Sequence, residues 1–198
     1  MRIGVYGGSF DPPHLGHLEV ARCAIEALEL DEVVFVPANV NPLRQNRKAT
    51  NASKRFKMVQ LMIADEPQMT VSDIEITREP PSYAIDTLDE MTIARPGEYW
   101  FICGSDAASR MREWKSIDRF HKLCRLGVII RGRFDQGSVL RNVPESLAEV
   151  IDFVPMKPCA ISSSSIRSEL EAGMNVAHQV HPDVYAYIMK NRIYEPTA

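Results

Sequence analysis

The amino-acid sequence predicts an α/β fold built on a doubly wound parallel sheet, with a small C-terminal helical portion. Short apolar runs alternate with segments of helical periodicity along most of the chain, and the first run ends in two glycines directly before a helical pattern. Strand, helix and strand in this order require a right-handed crossover between parallel strands. The predicted architecture is therefore Rossmann-like.

The predicted elements follow from this periodicity. Strands are expected at Arg2–Tyr6, Val33–Val36, Thr70–Ile76, Tyr99–Cys103, Leu126–Ile130 and Val150–Val154. Helices are expected at Leu15–Leu30, Ser53–Ala64, Tyr83–Ala94, Arg112–Leu123, Ser164–Ala172 and Asp183–Lys190. With 198 residues and 45% apolar composition, we expect one domain, 1–198, in which 1–158 form the sheet region and 159–198 the C-terminal helices.

The composition of the chain argues against nucleic-acid and membrane partners. The formal net charge is −3, so the chain has no surplus of basic residues for a nucleic-acid partner. No apolar run of membrane-spanning length and no basic leader is present, and we expect a cytoplasmic protein without a membrane partner. The four cysteines form no C-x-x-C pair, which favours reduced thiols. The sequence leaves homo-oligomer formation open.

The segment from Gly7 to His17 combines features of a phosphate site. Gly7 and Gly8 stand where the first strand ends, so their backbone N–H groups can approach a ligand without interference from Cβ atoms. After Ser9 and Phe10, a helix begins with the positive end of its dipole at the same place. The segment is neither G-x-x-x-x-G-K-[ST] nor G-x-G-x-x-G, which excludes those two phosphate loops.

Two histidines belong to this segment. His14 and His17 are three positions apart, which places both imidazoles on one face of the first helical turn, and Gly16 between them leaves room for a ligand. Together they can donate to one phosphoryl group and offset the charge that grows on a leaving pyrophosphate. A zinc pair completed by Asp11, or two structural histidines, remain alternatives.

A second candidate anion site lies near the C-terminus. Four serines open a helix within Ile161–Arg167, and their hydroxyls and free N–H groups can hold an anion. The guanidinium of Arg167 can add a positive charge and N–H donors to this site. A plain helix cap is the alternative interpretation.

The loop Ala38–Asn51 is a further candidate for ligand binding. It follows the predicted strand Val33–Val36 and carries Arg44. In such folds ligands bind at this edge of the sheet.

These motifs resemble known families. The run Gly7–His17 resembles the H-x-G-H signature of the nucleotidylyltransferase superfamily, and Ile161–Arg167 resembles its I-S-S-T-x-I-R motif, with Ser164 at the threonine position. Glu75–Arg78 followed by Ser82–Leu88 is similar to the E-x-x-R and S-Y-T-x-x-T-L pattern of bacterial nicotinate mononucleotide adenylyltransferases.

Further matches extend this resemblance. Trp100–Asp106, with Trp114 eight residues beyond, resembles the family's I-x-G-x-D and following tryptophan, where the aspartate can accept from ribose hydroxyls and the indole can stack on a pyridine ring. The chain departs from the family at Leu43, where a histidine is usual, and at Ala84, where a threonine is usual.

The resemblance implies an adenylyltransferase that uses ATP with Mg²⁺, accepts nicotinate mononucleotide and releases pyrophosphate, with no metal ligand from protein side chains. It implies His14 and His17 as catalytic residues. The implied ATP contacts are Gly7, Gly8, Ser9, Phe10, His14, His17, Gly104, Asp106, Ser163, Ser164 and Arg167. The implied acceptor contacts are Arg44, Tyr83, Ala84, Thr87, Asp106, Trp114 and Arg131.

Three alternatives stay open at this stage. Nicotinamide mononucleotide could be the preferred acceptor, because carboxylate and amide are separated by only a few donors and acceptors in a pocket. A sister adenylyltransferase acting on phosphopantetheine shares the histidine motif. A non-catalytic nucleotide sensor could retain the same fold.

Overall fold

The structure is a computed structural model that describes residues 1–42, 49–130 and 136–195. Six parallel strands form one sheet in the order β3-β2-β1-β4-β5-β6. The strands are β1 (Arg2–Gly8), β2 (Glu32–Pro37), β3 (Met69–Val71), β4 (Glu98–Gly104), β5 (Arg125–Ile129) and β6 (Ile151–Val154). This topology confirms the predicted doubly wound parallel sheet. The strand order reverses between β1 and β4, which is where such folds bind ligands.

Helices connect the strands and follow the last one. They are α1 (Leu15–Leu28), α2 (Ala52–Met62), α3 (Ile74–Thr77), α4 (Ala84–Ala94), α5 (Ser105–Ala108), α6 (Phe120–Leu123), α7 (Gln136–Asn142), α8 (Glu145–Ala148), α9 (Ser163–Glu171) and α10 (Pro182–Lys190). Short 3₁₀ turns at Met111–Glu113 and Ile117–Arg119 precede α6.

The two faces of the sheet bury separate apolar clusters. Alternate residues of β1 divide between them, so that Tyr6 faces the cluster shared with α1 and α2 while Ile3 and Val5 face the other. The C-terminal helices belong to the first cluster, to which they contribute Ile166 and Val184. The residues beyond β6 therefore share a hydrophobic core with the sheet.

The predicted strand Thr70–Ile76 is wrong in its second half. Strand β3 is an edge strand that pairs only with β2 and stops at Val71. Beyond that point the hydroxyl of Ser72 accepts from the N–H of Ile74 at 3.3 Å, and the carbonyl of Asp73 accepts from Ile76 at 2.8 Å. These local bonds close a helical turn, α3, because an edge strand offers a continuing chain no second neighbour.

The predicted helix Arg112–Leu123 is wrong as one continuous helix, since only its last part, α6, is α-helical. Trp114 is extended, and Ser116 adopts the left-handed region with a φ of 51°. The break lets Met111, Ile117 and Phe120 all reach the buried cluster, which one straight helix of that spacing would not achieve. Helices α7 and α8 were not predicted at all.

No helix in the described part of the chain is long and apolar enough to cross a bilayer. All four cysteines are free thiols. Burial raises the pKa of Cys124 to about 12, so this thiol stays protonated at neutral pH.

Candidate active site

The loop between β1 and α1 is shaped by glycines packed against aromatic rings. Phe10 is buried and left-handed, with a φ of 46°, which turns its ring back onto Gly8. A Cβ at Gly8 would lie 2.9 Å from that ring, and one at Gly7 would lie 3.3 Å from Phe101. The two glycines therefore accommodate protein side chains. Contacts of Gly7, Gly8, Ser9 and Phe10 with ATP stay predictions.

The structure brings His14 and His17 together. His14 is the N-cap of α1, with extended backbone, and its side chain is buried, whereas His17 lies in the first helical turn and is partly exposed. Their ring centroids are 3.7 Å apart, and the N–H of His14 donates to Nδ1 of His17 at 3.2 Å. A ring that accepts at Nδ1 carries its proton on Nε2, so His17 offers an Nε2–H donor.

Gly16 does not leave open space for a ligand, contrary to the sequence-based expectation. Gly16 is buried, and a Cβ there would lie 3.0 Å from Sγ of Cys159 and 3.0 Å from two atoms of the His14 ring. The space is filled because the imidazole of His14 folds back over the helix start. Gly16 is therefore required for the placement of His14 itself.

The loop between β1 and α1, residues 9–14, is called the histidine loop here. Residues of the serine-rich segment Ile161–Arg167 hold it in place. The Ser163 hydroxyl donates to the carbonyl of Pro12 at 2.8 Å, and Nη1 of Arg167 donates to the carbonyl of Asp11 at 2.6 Å. Arg167 is buried and also donates from Nη2 to the hydroxyl of Ser164 at 3.0 Å. The two predicted anion sites are thus adjacent, and these donors already serve the loop. Phosphate contacts by Ser163, Ser164 and Arg167 stay predictions.

The carboxylate of Asp11 is a hydrogen-bond acceptor at the centre of this loop, a role that the sequence did not predict. It is buried and accepts from the N–H of Thr50 at 3.3 Å and from the hydroxyl of Tyr194 at 2.5 Å. Burial, together with the nearby charge of Asp11, raises the pKa of Tyr194, which therefore stays protonated and donates. No local pattern around Tyr194 indicates this contact.

Arg55 is a second residue that holds these loops, and the sequence did not predict its role. It is almost fully buried and donates to the carbonyls of Thr50 at 2.8 Å, Ser9 at 2.7 Å and Ala38 at 2.6 Å. Burial lowers the pKa of this guanidinium, and the negative charge of Asp11 opposes that shift. One side chain of α2 therefore ties together the loops that follow β1 and β2.

The end of β4 lies beside the end of β1. Gly104 closes β4 and is the N-cap of α5, and Asp106 is exposed in the first turn of that helix. Because β1 and β4 are neighbours at the switch point of the sheet, Asp106 and the histidine loop lie at the same sheet edge. Nucleotide contacts by Gly104 and Asp106 stay predictions.

Tyr83 and the segment around Trp114 also meet. Tyr83 is the N-cap of α4, and Nζ of Lys115 lies 4.5 Å from the centroid of its ring while forming an ion pair with Asp86. The indole of Trp114 is partly exposed and packs edge-on against Phe101, with centroids 5.4 Å apart. Acceptor contacts by Tyr83, Ala84 and Trp114 stay predictions.

Thr87 lies inside the protein, behind Tyr83. Its hydroxyl donates to Glu75 at 2.7 Å and accepts from Arg78 at 2.9 Å. Thr87 and Glu75 are both buried, and burial raises the pKa of the Glu75 carboxyl. The E-x-x-R motif therefore supports the start of α4, and the Thr87 hydroxyl is engaged in that support. Its contact with the acceptor stays a prediction.

Two residues that were predicted to contact the acceptor, Arg44 and Arg131, lie outside the described residues, as does Leu43.

The sequence of the chain is similar to those of known proteins. Residues 5–169 match the sequence model of the cytidylyltransferase-like family. The chain belongs to this family. Its relatives include a probable nicotinate-nucleotide adenylyltransferase of Shouchella clausii, 36% identical over 98% of this chain and 96% of the relative. A protein of the same name from Geobacillus thermodenitrificans is 34% identical over 98% of this chain and 86% of the relative.

A solved structure of another protein has the same fold. The Plasmodium falciparum nicotinic acid mononucleotide adenylyltransferase complexed with NaAD aligns with a TM-score of 0.81, at 22% identity, over 98% of this chain and 97% of that chain. The resemblance stated from the motifs, to nicotinate mononucleotide adenylyltransferases, is thereby confirmed at the level of the family, and so is the fold.

Proposed function

We propose that the protein transfers the adenylyl group of ATP to nicotinate mononucleotide, giving nicotinate adenine dinucleotide and pyrophosphate. The observation that carries this proposal is the pair of adjacent rings of His14 and His17 at the start of α1, in a chain whose relatives have the corresponding name. A helix N-terminus attracts phosphate, and an imidazole donor there adds to this attraction. We place the reaction in NAD biosynthesis, in the cytoplasm.

In the proposed reaction, an oxygen of the acceptor's 5′-phosphate attacks the α-phosphorus of ATP. A new P–O bond forms, the bond from the α-phosphorus to the bridging oxygen breaks, and its electron pair leaves with pyrophosphate. The protein contributes positioning and charge stabilisation. The Nε2–H of His17 is the donor suited to a phosphate oxygen, with His14 packed against it.

The distal phosphates would lie toward the start of α9. This helix has nine residues, its first turn contains the exposed Ser164, and its Arg167 carries a charge close to the histidine loop. Mg²⁺ enters as part of the MgATP substrate, because it prefers phosphate and water oxygens and retains several of its waters.

The acceptor would lie near the start of α4. The first N–H groups of a helix have no partner within it, and its dipole favours a negative group there. Ala84 keeps the N–H that a threonine would offer, and Lys115, whose charge is paired with Asp86, lies beside Tyr83. The N–H groups at the start of α4 favour the carboxylate of nicotinate over the neutral amide of nicotinamide. Trp114 would offer its exposed surface to the pyridine ring, and Asp106 would accept from ribose hydroxyls.

A direct assay tests the proposal. The purified protein is incubated with MgATP and one acceptor at a time, namely nicotinate mononucleotide, nicotinamide mononucleotide or phosphopantetheine, and both pyrophosphate and the adenylylated product are followed. We expect kcat/KM for the nicotinate compound to exceed that for the nicotinamide compound by about tenfold or more. Turnover with phosphopantetheine alone, or ATP binding without pyrophosphate from any acceptor, would overturn the proposal.

A further inference from the structure

The histidine loop is held by side chains that follow it by more than half the chain. Its Asp11 is 5% exposed, and one carboxylate oxygen accepts from the hydroxyl of Tyr194 at 2.5 Å. The other oxygen accepts from the N–H of Thr50 at 3.3 Å, which adds the loop after β2. A buried carboxylate needs such donors, because it has lost its hydrogen bonds to water.

The backbone beyond α10 is arranged to deliver Tyr194 to this position. Arg192 and Tyr194 both adopt the left-handed region, with φ values of 50° and 68°, and Ile193 between them is buried in the core. The N–H of Ile193 donates to the carbonyl of Ile188 at 3.1 Å. Left-handed backbone is disfavoured for residues with a Cβ, so the packing of Ile193 and the Tyr194 hydrogen bond must offset its cost.

The main chain on both sides of the Asp11 side chain is fixed from α9. Arg167 donates to the carbonyl of Asp11, and Ser163 donates to that of Pro12. His14 follows two residues later, and its N–H and ring define the geometry of His17. The Asp11 side chain itself is held by two donors, the N–H of Thr50 at 3.3 Å and the hydroxyl of Tyr194 at 2.5 Å, and the shorter bond comes from Tyr194.

We propose that Tyr194 is a positioning residue for the proposed reaction: through Asp11 it fixes the loop that sets His14 against His17. Tyr194 need not touch either substrate in this role. The inference rests on the proposed function, because it assigns the loop to phosphate chemistry. A residue that only stabilised the fold would affect unfolding and leave the folded enzyme's turnover unchanged.

The test replaces one hydroxyl. Tyr194→Phe keeps the ring and removes the donor to Asp11. We expect kcat to fall by about 10- to 100-fold, since small misplacements of a catalytic group have effects of this order, while KM for ATP changes little. The matched control is Tyr187→Phe on α10, whose hydroxyl makes no hydrogen bond with any residue that the structure describes; it should retain the original kcat.

A second readout does not depend on substrates. In ¹H–¹⁵N spectra of the imidazoles, Tyr194→Phe should shift the signals of His14 and His17, and Tyr187→Phe should not. Unchanged histidine signals together with unchanged kcat would overturn the inference, even if the variant unfolded at lower urea. Absence of turnover in the original protein with every acceptor would instead overturn the proposed function, and the spectra would still test the positioning role.

A double-mutant cycle shows whether Tyr194 acts through Asp11. Asp11→Ala leaves Tyr194 in place and removes the carboxylate that accepts from it, so it serves also as the informative variant if Tyr194→Phe fails to fold. We expect the kcat of the double variant Asp11→Ala, Tyr194→Phe to equal that of Asp11→Ala alone. Independent, multiplying effects would overturn the inference, as would a fully active Asp11→Ala variant.

Discussion

The ring of His14 lies against the ring of His17 with centroids 3.7 Å apart and planes tilted by 31°, and the backbone N–H of His14 donates to Nδ1 of His17. One residue therefore determines both the position and the tautomer of its neighbour. Because Nδ1 of His17 accepts, its ring proton lies on Nε2. This relationship turns the spacing of the two histidines into a specific chemical expectation.

The first prediction concerns that nitrogen. His17→Ala should lower kcat by about 100- to 1,000-fold, the usual effect of removing one donor to a developing charge. His17→Gln places an amide N–H near the former Nε2 and should recover part of the loss. Steady-state turnover of both variants, with urea unfolding to verify the fold, provides the measurement. An alanine variant with near-normal turnover would remove His17 from the mechanism.

Gly16→Ala should disturb catalysis through His14. The new methyl group would lie 3.0 Å from the His14 ring, which is buried against His17 and has little room to yield. We expect kcat to fall by about tenfold or more. The same methyl group meets Sγ of Cys159, so Gly16→Ala combined with Cys159→Ala is the control. Full recovery in the double variant would assign the loss to the thiol.

Arg55→Met should weaken the whole fold. The variant keeps the apolar stem but leaves the carbonyls of Thr50, Ser9 and Ala38 without their buried donor. We expect the free energy of unfolding to fall by about 3 kcal/mol or more. Urea titration measures this change. Arg110→Met removes an exposed arginine paired with Glu113 and should leave the unfolding midpoint unchanged.

Glu75→Gln should change how stability depends on pH. Burial holds the pKa of Glu75 in the folded protein above its ordinary value of 4.5. Between those two values the folded state binds more protons than the unfolded state, so the carboxyl destabilises the fold as pH rises. Glutamine keeps the oxygen that accepts from Thr87 and removes the titration.

The free energy of unfolding of Glu75→Gln, minus that of the original protein, should therefore increase as pH rises above 4.5 and then level off. Urea titrations at pH 5, 6, 7 and 8 supply the comparison. Glu79→Gln, at an exposed position four residues later, is the control. A difference that stays constant with pH would contradict the prediction.

Sequence alone predicted the parts of this structure that depend on local pattern. The alternation of apolar runs and helical periods predicted the parallel sheet, and the run Gly7–His17 predicted the strand, turn and helix that the structure has there. The breaks at Ser72 and Ser116 escaped prediction, because an edge strand's end and a left-handed turn are decided by tertiary neighbours rather than by apolar spacing.

Some of the side chains that hold the candidate site could be predicted from local sequence, and others could not. Arg55 could have been found, since it occupies the apolar stripe of α2 with Met58, Val59 and Met62, where a charge signals a buried partner. Tyr194 could not, because its partner Asp11 stands 183 positions earlier and neither residue has an unusual local context. Glu75 and Thr87 both belong to the motifs that the sequence predicts, but their buried hydrogen bond to each other depends on the fold.

The donors to Pro12 and Asp11 come from residues 151 and 156 positions later, and that of the Asp11 carboxylate from 183 positions later. A chain synthesised from its N-terminus therefore makes the histidine segment first and the side chains that hold it last. Until Ser163 and Arg167 emerge, the carbonyls of Pro12 and Asp11 lack these donors. A growing chain carries its complete histidine signature long before it can catalyse.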